Sequence, residues 1–395
     1  MPKSRSTFQP SILMVGAGVL GVNLASELAR HGHRVTILDA GEAGTGTTAG
    51  SYAWVNSNSK SPASYADLNL YGLRAHERWS AARTRTWFHQ TGNLQVVHGA
   101  ERMADVEREA AQYLDAGYPA QLLTARGVAE LEPGLNREDV VGGVLFPLEG
   151  WADTAAMTAV LLQEAQDHGA QYLPYHRVIE LTESGVSAQT PDGGTSAWEA
   201  DVTVLTAGNG IRALTRGLGL EFPTRPTALD EPLSRPDAGH HTVGMTVTTS
   251  AATGLPGHMV QTDDVSFRPS PTGGVMITDH PTASRWDPSG ETMWAAPDDL
   301  LRRARRICPA LDSTEVVTVH VGHRILPDDG ITIADWLDTD RRYYAVATHS
   351  GITLAPHLAE TVARQIRTGE RDASLADFGL GRFGNLHRPA AAAGV

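Results

Sequence analysis

Cysteine is nearly missing from this chain. Cys308 is the only one in 395 residues, so no intrachain disulfide can form and the chain suits a reducing compartment. Basic charge is in deficit: 32 Lys and Arg against 45 Asp and Glu give a net charge of −13, which repels phosphate backbones and anionic lipid and argues against nucleic acid as a partner. No segment reaches the roughly 20 apolar residues of a membrane span. One run, "SILMVGAGVLGV" behind Lys3 and Arg5, imitates a secretory signal. It contains three spaced glycines and continues without a break into "NLASELARHGHRVTILDA", so cleavage would destroy a βαβ unit. The cytoplasm is therefore the expected location. Clustered Cys and His spacing is absent too. In "HVGH" the two histidines, three apart on a strand, point to opposite faces, and "HGH" (31–33) reads as a polar helix-to-strand turn, so no metal site is expected. There is no internal repeat, and only the terminal "RPAAAAGV" is low in complexity. A homo-oligomer is left open.

What is present is a globular composition, 41% hydrophobic, long enough for two domains or one large elaborated one. "VGAGVLG" sets Gly16, Gly18 and Gly21 in the spacing that allows a tight turn, close backbone approach to a pyrophosphate, and close packing of helix on strand. Alone the pattern is weak, since each glycine is equally a plain turn residue. Its setting strengthens it. "SILMV" reads as a strand, Leu20, Leu24 and Leu28 recur at helical spacing, and "RVTILD" reads as a second strand ending on Asp39, placed to accept hydrogen bonds from a ribose. This leaves NAD or FAD. The Gly- and Thr-rich "GEAGTGTTAGS" after Asp39 is longer than a simple NAD domain needs. Near the other end, "RRYYAVATHSGITLAPHLAETVARQI" supplies a strand, a glycine turn, and a helix start at Gly351 to Leu354 suited to an electron-rich carbonyl edge or an anionic ring.

Five motifs in order, "VGAGVLG", "AGTGTTAG", "VTVLTAGNGIRAL", "VGHRILPDDGI" and "HSGITLAP", make residues 11 to 370 resemble the D-amino-acid oxidase superfamily, its glycine and sarcosine oxidase branch especially. The resemblance implies an α/β fold: a Rossmann-like FAD-binding domain interleaved with an α+β substrate domain on a mixed antiparallel sheet that roofs the flavin. FAD contacts are then expected at Gly16, Gly18, Val19, Leu20 and Gly21, and at Asp39 and Ala40. Thr45, Gly46, Thr47, Thr48 and Gly50 follow in the glycine loop. The resemblance adds the backbone of Val178 at the adenine, Ala207 and Gly208 beside the cofactor, and Gly351, Ile352, Thr353 and Leu354 at the late helix start. The family's covalent flavin attachments have no counterpart. Cys308 lies 16 residues before Arg324 rather than beside it, and the early glycine loop has no histidine, so noncovalent FAD is expected and Cys308 reads as packing.

The order of patterns implies interleaved domains. Segments 8–51, 151–215 and 320–370 form the FAD domain, 52–150 and 216–319 the substrate domain, and 371–395 a C-terminal tail. Within the roof, "SPASYADLNLYGLRAHERWSAA" and "AERMADVEREAAQYLDAG" read as helices around the strand "GNLQVVHG". Asp153 reads as an N-cap before a long amphipathic helix and a strand ending near Ile179. "TVGMTVTTS", "VSFRPS" and "GGVMIT" read as roof strands.

Catalytic expectations rest on Arg324, His349 and Trp54. Period two along "TVHVGHR" puts His320, Gly322 and Arg324 on one face, and the resemblance makes this arginine the bidentate partner of a substrate carboxylate. Its bland reading is an ion pair with Asp328 or Asp329. Ile325 and Thr332 stand where the family usually has prolines, so the loop path, and with it the substrate, departs from the pattern. In "SYAWVNSNSK", Tyr52 and Trp54 read as pocket walls, Asn56 and Asn58 as substrate ligands and Lys60 as an aid to oxygen or substrate. An aromatic core with a solvated loop fits equally. His349 either orients substrate or caps its turn; His258 and Arg268 default to surface or structural roles. The reading is FAD-dependent oxidation of the C–N bond of an amino acid or amine to an imine. The alternatives are a dehydrogenase with a non-oxygen acceptor, or a non-catalytic flavin-binding subunit of a larger complex.

Overall fold

The computed structural model describes residues 9–226, 242–279, 292–384 and 386. Lys3, Arg5, the start of the first expected segment at residue 8, and "RPAAAAGV" lie outside them. Two sheets organise the chain. The first has six strands in the order Ile333–Trp336, Tyr343–Ala347, Val202–Leu205, Ile12–Val15, Val35–Leu38 and Gln171–Leu173, all parallel except the first. Both faces are covered, and the strands accordingly read as near-continuous apolar runs such as Ile-Leu-Met-Val, each residue of which is buried. Helices Val19–Arg30, Thr154–Asp167 and Gly351–Thr368 pack on one face around Val22, Leu28, Leu161 and Leu358. Asp153 caps the second of these helices by accepting from the Ala156 amide at 3.0 Å, as its sequence position foretells.

The second sheet has eight strands, in the order Val316–His323, Val243–Thr249, Val275–Thr278, Ser266–Pro269, Met259–Gln261, Asn93–His98, Val140–Phe146 and Gln121–Thr124. It is antiparallel except where Met259–Gln261 runs parallel to Asn93–His98. Helix Thr292–Ile307 covers it through Leu300, Leu301 and Ala304, and Cys308 is fully buried in that core. The mixed α/β architecture anticipated from the motifs is therefore the one adopted. Among the described residues no helix is long and apolar enough to cross a membrane.

Three placements differ from the sequence reading. The chain after Thr154–Asp167 makes two strands, not one. Gln171–Leu173 closes the parallel sheet, the backbone turns at Tyr175 with φ of 58°, and Arg177–Leu181 starts a separate three-stranded antiparallel sheet. Residues 373–383 form two 3-10 turns whose Leu375 and Phe378 are buried in the core, so this part of the expected tail is packed structure.

The helix Ala63–Ala81, grouped with the roof by chain order, lies instead against Gly351–Thr368. The reason is local chemistry. Pro356 has no N–H, so the carbonyl of Ile352, four residues earlier, loses its helical donor. His76 replaces it: Nε2 donates to Ile352 O at 2.7 Å, and Nδ1 accepts from Trp87 Nε1 at 3.4 Å, which fixes a neutral tautomer. A Cβ on Gly72 would sit 2.4 Å from Thr353 O, so only glycine permits this approach. The pair holds the first turn of Gly351–Thr368 in place.

Burial pulls the His76 imidazole down to about 4. Unfolded chains take up that proton near 6.5, so between pH 6.5 and 4 the unfolded state binds more protons and stability falls with falling pH. His76→Leu, which orphans the Ile352 carbonyl, should cost about 1–3 kcal/mol at pH 8. Denaturant melts should show a smaller cost at pH 5, where the wild type has already lost part of this contribution; equal costs at both pH values would contradict the assignment.

Candidate active site

The C-terminal ends of the parallel strands open onto a cavity of about 1150 Å³, the position where open α/β sheets bind ligands. Val178 and His176 border it from the three-stranded sheet, and Gln261, Gly244 and Arg324 from the roof. Two helices begin at this cavity. Val19–Arg30 starts at Gly18 with extended backbone, no side-chain cap and no acid in its first turn; Gly351–Thr368 starts at Ser350, also without a side-chain cap or a first-turn acid. First-turn amides have no intrahelical partners, so both ends offer N–H groups and positive partial charge to an anionic or electron-rich ligand.

The glycines separate into two roles. A Cβ on Gly18 would meet only Thr48 Oγ1, at 3.3 Å, and Cβ atoms on Gly46 or Gly208 would meet nothing within 4 Å. All three glycines line the cavity, so any side chain there would take up ligand space. Gly16, at φ of 106°, lies so close to the next strand that a Cβ would approach Thr206 O to 2.7 Å. Gly21 is different from its expected role. Its Cβ would fall 1.9 Å from Gly16 O, and it does not line the cavity: it serves the packing of helix on strand. Leu354 is likewise fully buried in the core, one helical position too deep to meet a ligand. Val19, Leu20, Ala40, Thr45, Thr47, Thr48, Gly50, Ala207, Gly351, Ile352 and Thr353 do line it. Asp39 is held rigidly, Oδ2 accepting from the Ala17 amide at 2.6 Å and Oδ1 from the Gly41 amide at 2.8 Å, with its carboxylate at the cavity edge. A fixed acceptor, a glycine cradle and two open helix starts match the donors and acceptors of a flavin dinucleotide.

At the roof end, Val316–His323 finishes over the cavity. The His323 carbonyl accepts from Thr47 Oγ1 at 2.7 Å and Asn209 Nδ2 at 2.8 Å, tying the strand to two cofactor loops. Arg324 follows immediately, its amide donating to Thr242 O at 2.6 Å. Its guanidinium lies against Gly244, where a Cβ would come within 2.5 Å of Nη2. Asp329 is engaged by Arg382 at 2.6 Å, and Asp328 lies in the fields of Arg212 and Arg225. Burial draws Arg324 below its ordinary value. Since Arg324 lies beyond the strand end, period two no longer sorts its neighbours, and His323 and Ile325 line the cavity along with Gly322 and Arg324.

Opposite stand Tyr52, Trp54, Asn56 and Lys60, together with the exposed His349. Trp54 donates its indole N–H to Glu149 Oε2 at 2.9 Å, and its carbonyl accepts from Thr353 Oγ1 at 3.1 Å. Desolvation lowers the Lys60 ammonium. Asn58 is buried behind this wall rather than in it. His258 is bound to Glu132 at 2.6 Å, and Arg268 donates to Tyr52 O at 2.6 Å while stacking 4.5 Å over Trp151; neither reaches the cavity. Sequence reasoning missed Glu149, Asn209 and Gln261. For Glu149 one signal existed: a lone acid flanked by apolar residues in "FPLEGWA".

These features define a dinucleotide-dependent oxidoreductase site, cofactor cradle below and substrate roof above. The sequence profile of the FAD dependent oxidoreductase (DAO) family matches residues 11–365, and the chain belongs to that family. It is an FAD-dependent oxidoreductase of the amino acid oxidase and dehydrogenase group. It is 26% identical to an opine oxidase polypeptide of Rhizobium meliloti and 25% identical to glycine oxidase of Geobacillus kaustophilus, covering 95% of this chain and 98% of each relative. The crystal structure of the Geobacillus kaustophilus glycine oxidase superimposes with a TM-score of 0.80 at 23% identity, over 95% of this chain and 99% of that one.

The two glycine roles are separable by experiment. Gly18 has ordinary backbone angles (φ −70°, ψ −177°), so Gly18→Val should leave the apoprotein folded while FAD retained through gel filtration falls roughly tenfold or more. Gly21→Val should instead lower the yield of folded protein outright. Normal FAD content in Gly18→Val would show that this glycine serves only the turn.

Proposed function

We propose that the enzyme oxidises the carbon–nitrogen bond of a carboxylate-bearing amine, either an amino acid or a secondary amino acid, using noncovalently held FAD. The observation that carries this reading is Arg324, a half-buried guanidinium on the roof end of a cavity whose other end is a dinucleotide cradle. Relatives named glycine oxidase and opine oxidase support the same substrate class.

FAD, when bound, supplies the acceptor for a hydride from the substrate α-carbon. The protein's part is positioning and electrostatics. Arg324 pairs through its planar fork with the substrate carboxylate and so fixes the α-carbon. The start of Gly351–Thr368 directs its first-turn amides at the cavity and favours negative charge developing there. Trp54 walls the reacting region from water, and His349 borders the same space to orient the amine. A neutral amine needs no base, and the imine product is hydrolysed by water. Cys308, buried in the roof core, is no attachment point for the cofactor.

Two measurements test this. Denatured protein should release intact FAD into the supernatant; colour remaining with the polypeptide would contradict noncovalent binding. In anaerobic stopped-flow reduction, Arg324→Ala should cut the rate per substrate concentration roughly 30-fold or more, the effect of losing about 2–5 kcal/mol from a desolvated charge pair, with FAD content unchanged. Arg324→Lys should fall between. The loss should be confined to the amino acid and spare its decarboxylated amine; equal losses on both would mean that Arg324 does not read a carboxylate.

A further inference from the structure

Behind the Trp54 side of the cavity lies a carboxylate that the oxidation chemistry above does not use. Glu149 is fully buried, in the turn between Val140–Phe146 and Gly150–Ala152. Five hydrogen bonds converge on it. Oε1 accepts from Tyr118 Oη at 2.7 Å and the Asn58 amide at 3.3 Å. Oε2 accepts from Trp54 Nε1 at 2.9 Å, Asn58 Nδ2 at 3.2 Å and Asn93 Nδ2 at 3.2 Å. Asn93 also donates to Gln261 Oε1 at 3.0 Å, which carries the network across to the roof wall. Asn58 in turn accepts from Asn56 Nδ2, through its carbonyl at 3.1 Å and its Oδ1 at 3.3 Å.

Among the described residues, every group bonded to Glu149 is a donor, so the set is built for the ionised carboxylate, which fills all its lone-pair positions. A carboxylate buried in apolar surroundings is costly unless it is fully satisfied. Here the satisfying groups include the indole that walls the cavity and the loop that carries Asn56 and Lys60 into it. We propose that Glu149 is a positioning residue of the oxidation: its buried carboxylate pins Trp54 and the 54–60 loop against the substrate end of the cavity. This rests on the reading that the Trp54 side of the cavity receives substrate.

The network titrates near neutrality. Burial pushes the Glu149 carboxyl up to about 7 against the pull of its donors, Tyr118 foremost and then Trp54, Asn58 and Asn93. The titratable groups facing it are Tyr118, with Tyr113 beyond, and Lys60, which feels its charge; on the far side of Trp151 lie His89, Arg268 and Asp153. Tyr118 is held above its ordinary value and Lys60 keeps a charge that Glu149 favours, so neither competes for the proton near pH 7. Below that pH the carboxyl gains a proton that has no acceptor waiting, and the wall loosens.

The test uses FAD-loaded protein in two readouts. Without any ligand, the visible absorption and circular dichroism of the bound flavin are followed from about pH 5.5 to 8.5, a window that brackets the raised carboxyl. The wild type should show one titration near pH 7, absent in Glu149→Gln. Trp54→Phe and Tyr118→Phe each delete a donor that favours the anion and should move the midpoint upward. With glycine and iminodiacetate as probes, Glu149→Gln should raise KM at least fivefold while the limiting rate of anaerobic flavin reduction changes less than twofold. An unchanged titration in Glu149→Gln, or an unchanged KM with FAD retained, overturns the proposal. If Glu149→Gln does not fold, an unmoved midpoint in both Trp54→Phe and Tyr118→Phe overturns it. Failure of both probes to reduce the flavin would count against the amine-oxidation reading while the spectral titration still decides the role of Glu149.

Discussion

Two α-helices that begin side by side, neither with a side-chain cap, set the terms for the rest of this protein. Val19–Arg30 and Gly351–Thr368 come so close at their starts that a Cβ on Gly351 would lie 3.9 Å from Val19 Cγ1. Uncapped first turns leave N–H groups facing one cavity, and a buried donor without a partner costs roughly 1–3 kcal/mol. The arrangement is tenable because the sheet beneath brings both starts to the same edge and because a ligand with many acceptors fits there. Much of the surrounding chain serves this geometry. Thr206 Oγ1 bonds the Gly16 carbonyl at 3.0 Å under the first turn, and His76 supplies the donor that Pro356 removes from the second.

The same constraint governs what was legible in the sequence. Gly16 and Gly18 could be read because a backbone that must approach a phosphate or a neighbouring strand allows no side chain, and glycine records that demand directly. Asp39, the 45–50 loop, Ala207, Gly208 and the 351–353 turn follow from strand–turn–helix order, which the apolar periodicity sets out. Gly21 and Leu354 carried the same motif signal yet face the protein, since a motif gives spacing and not which side of a helix meets the ligand. The helix Ala63–Ala81 was misplaced because its partner lies 276 residues away in sequence: His76 to Ile352. Glu149 was hidden for a related reason. Its donors come from positions 54, 58, 93 and 118, and no local pattern reveals a polar cluster assembled from such distant points.

Electrostatics divides the cavity along its length. Over a chain with net charge −13, the roof end collects cationic side chains, Arg324 from the end of its strand and Lys60 from the facing loop, while Asp39 borders the cradle end. An acidic exterior with a cationic recess favours a small anionic substrate at the recess and disfavours phosphate polymers everywhere else. Desolvation strengthens that preference, because the charges inside are held in a lower dielectric than those outside.

A crystal structure of the protein as purified, with glycine bound under anaerobic conditions, would decide whether the two helix starts and Arg324 form one site. FAD should then lie with its pyrophosphate at the Leu20 amide and its ring at the start of Gly351–Thr368, and the glycine carboxylate should form a bidentate pair with Arg324. A flavin ring outside this cavity, or a ligand carboxylate turned away from Arg324 with the ring correctly seated, would contradict that arrangement.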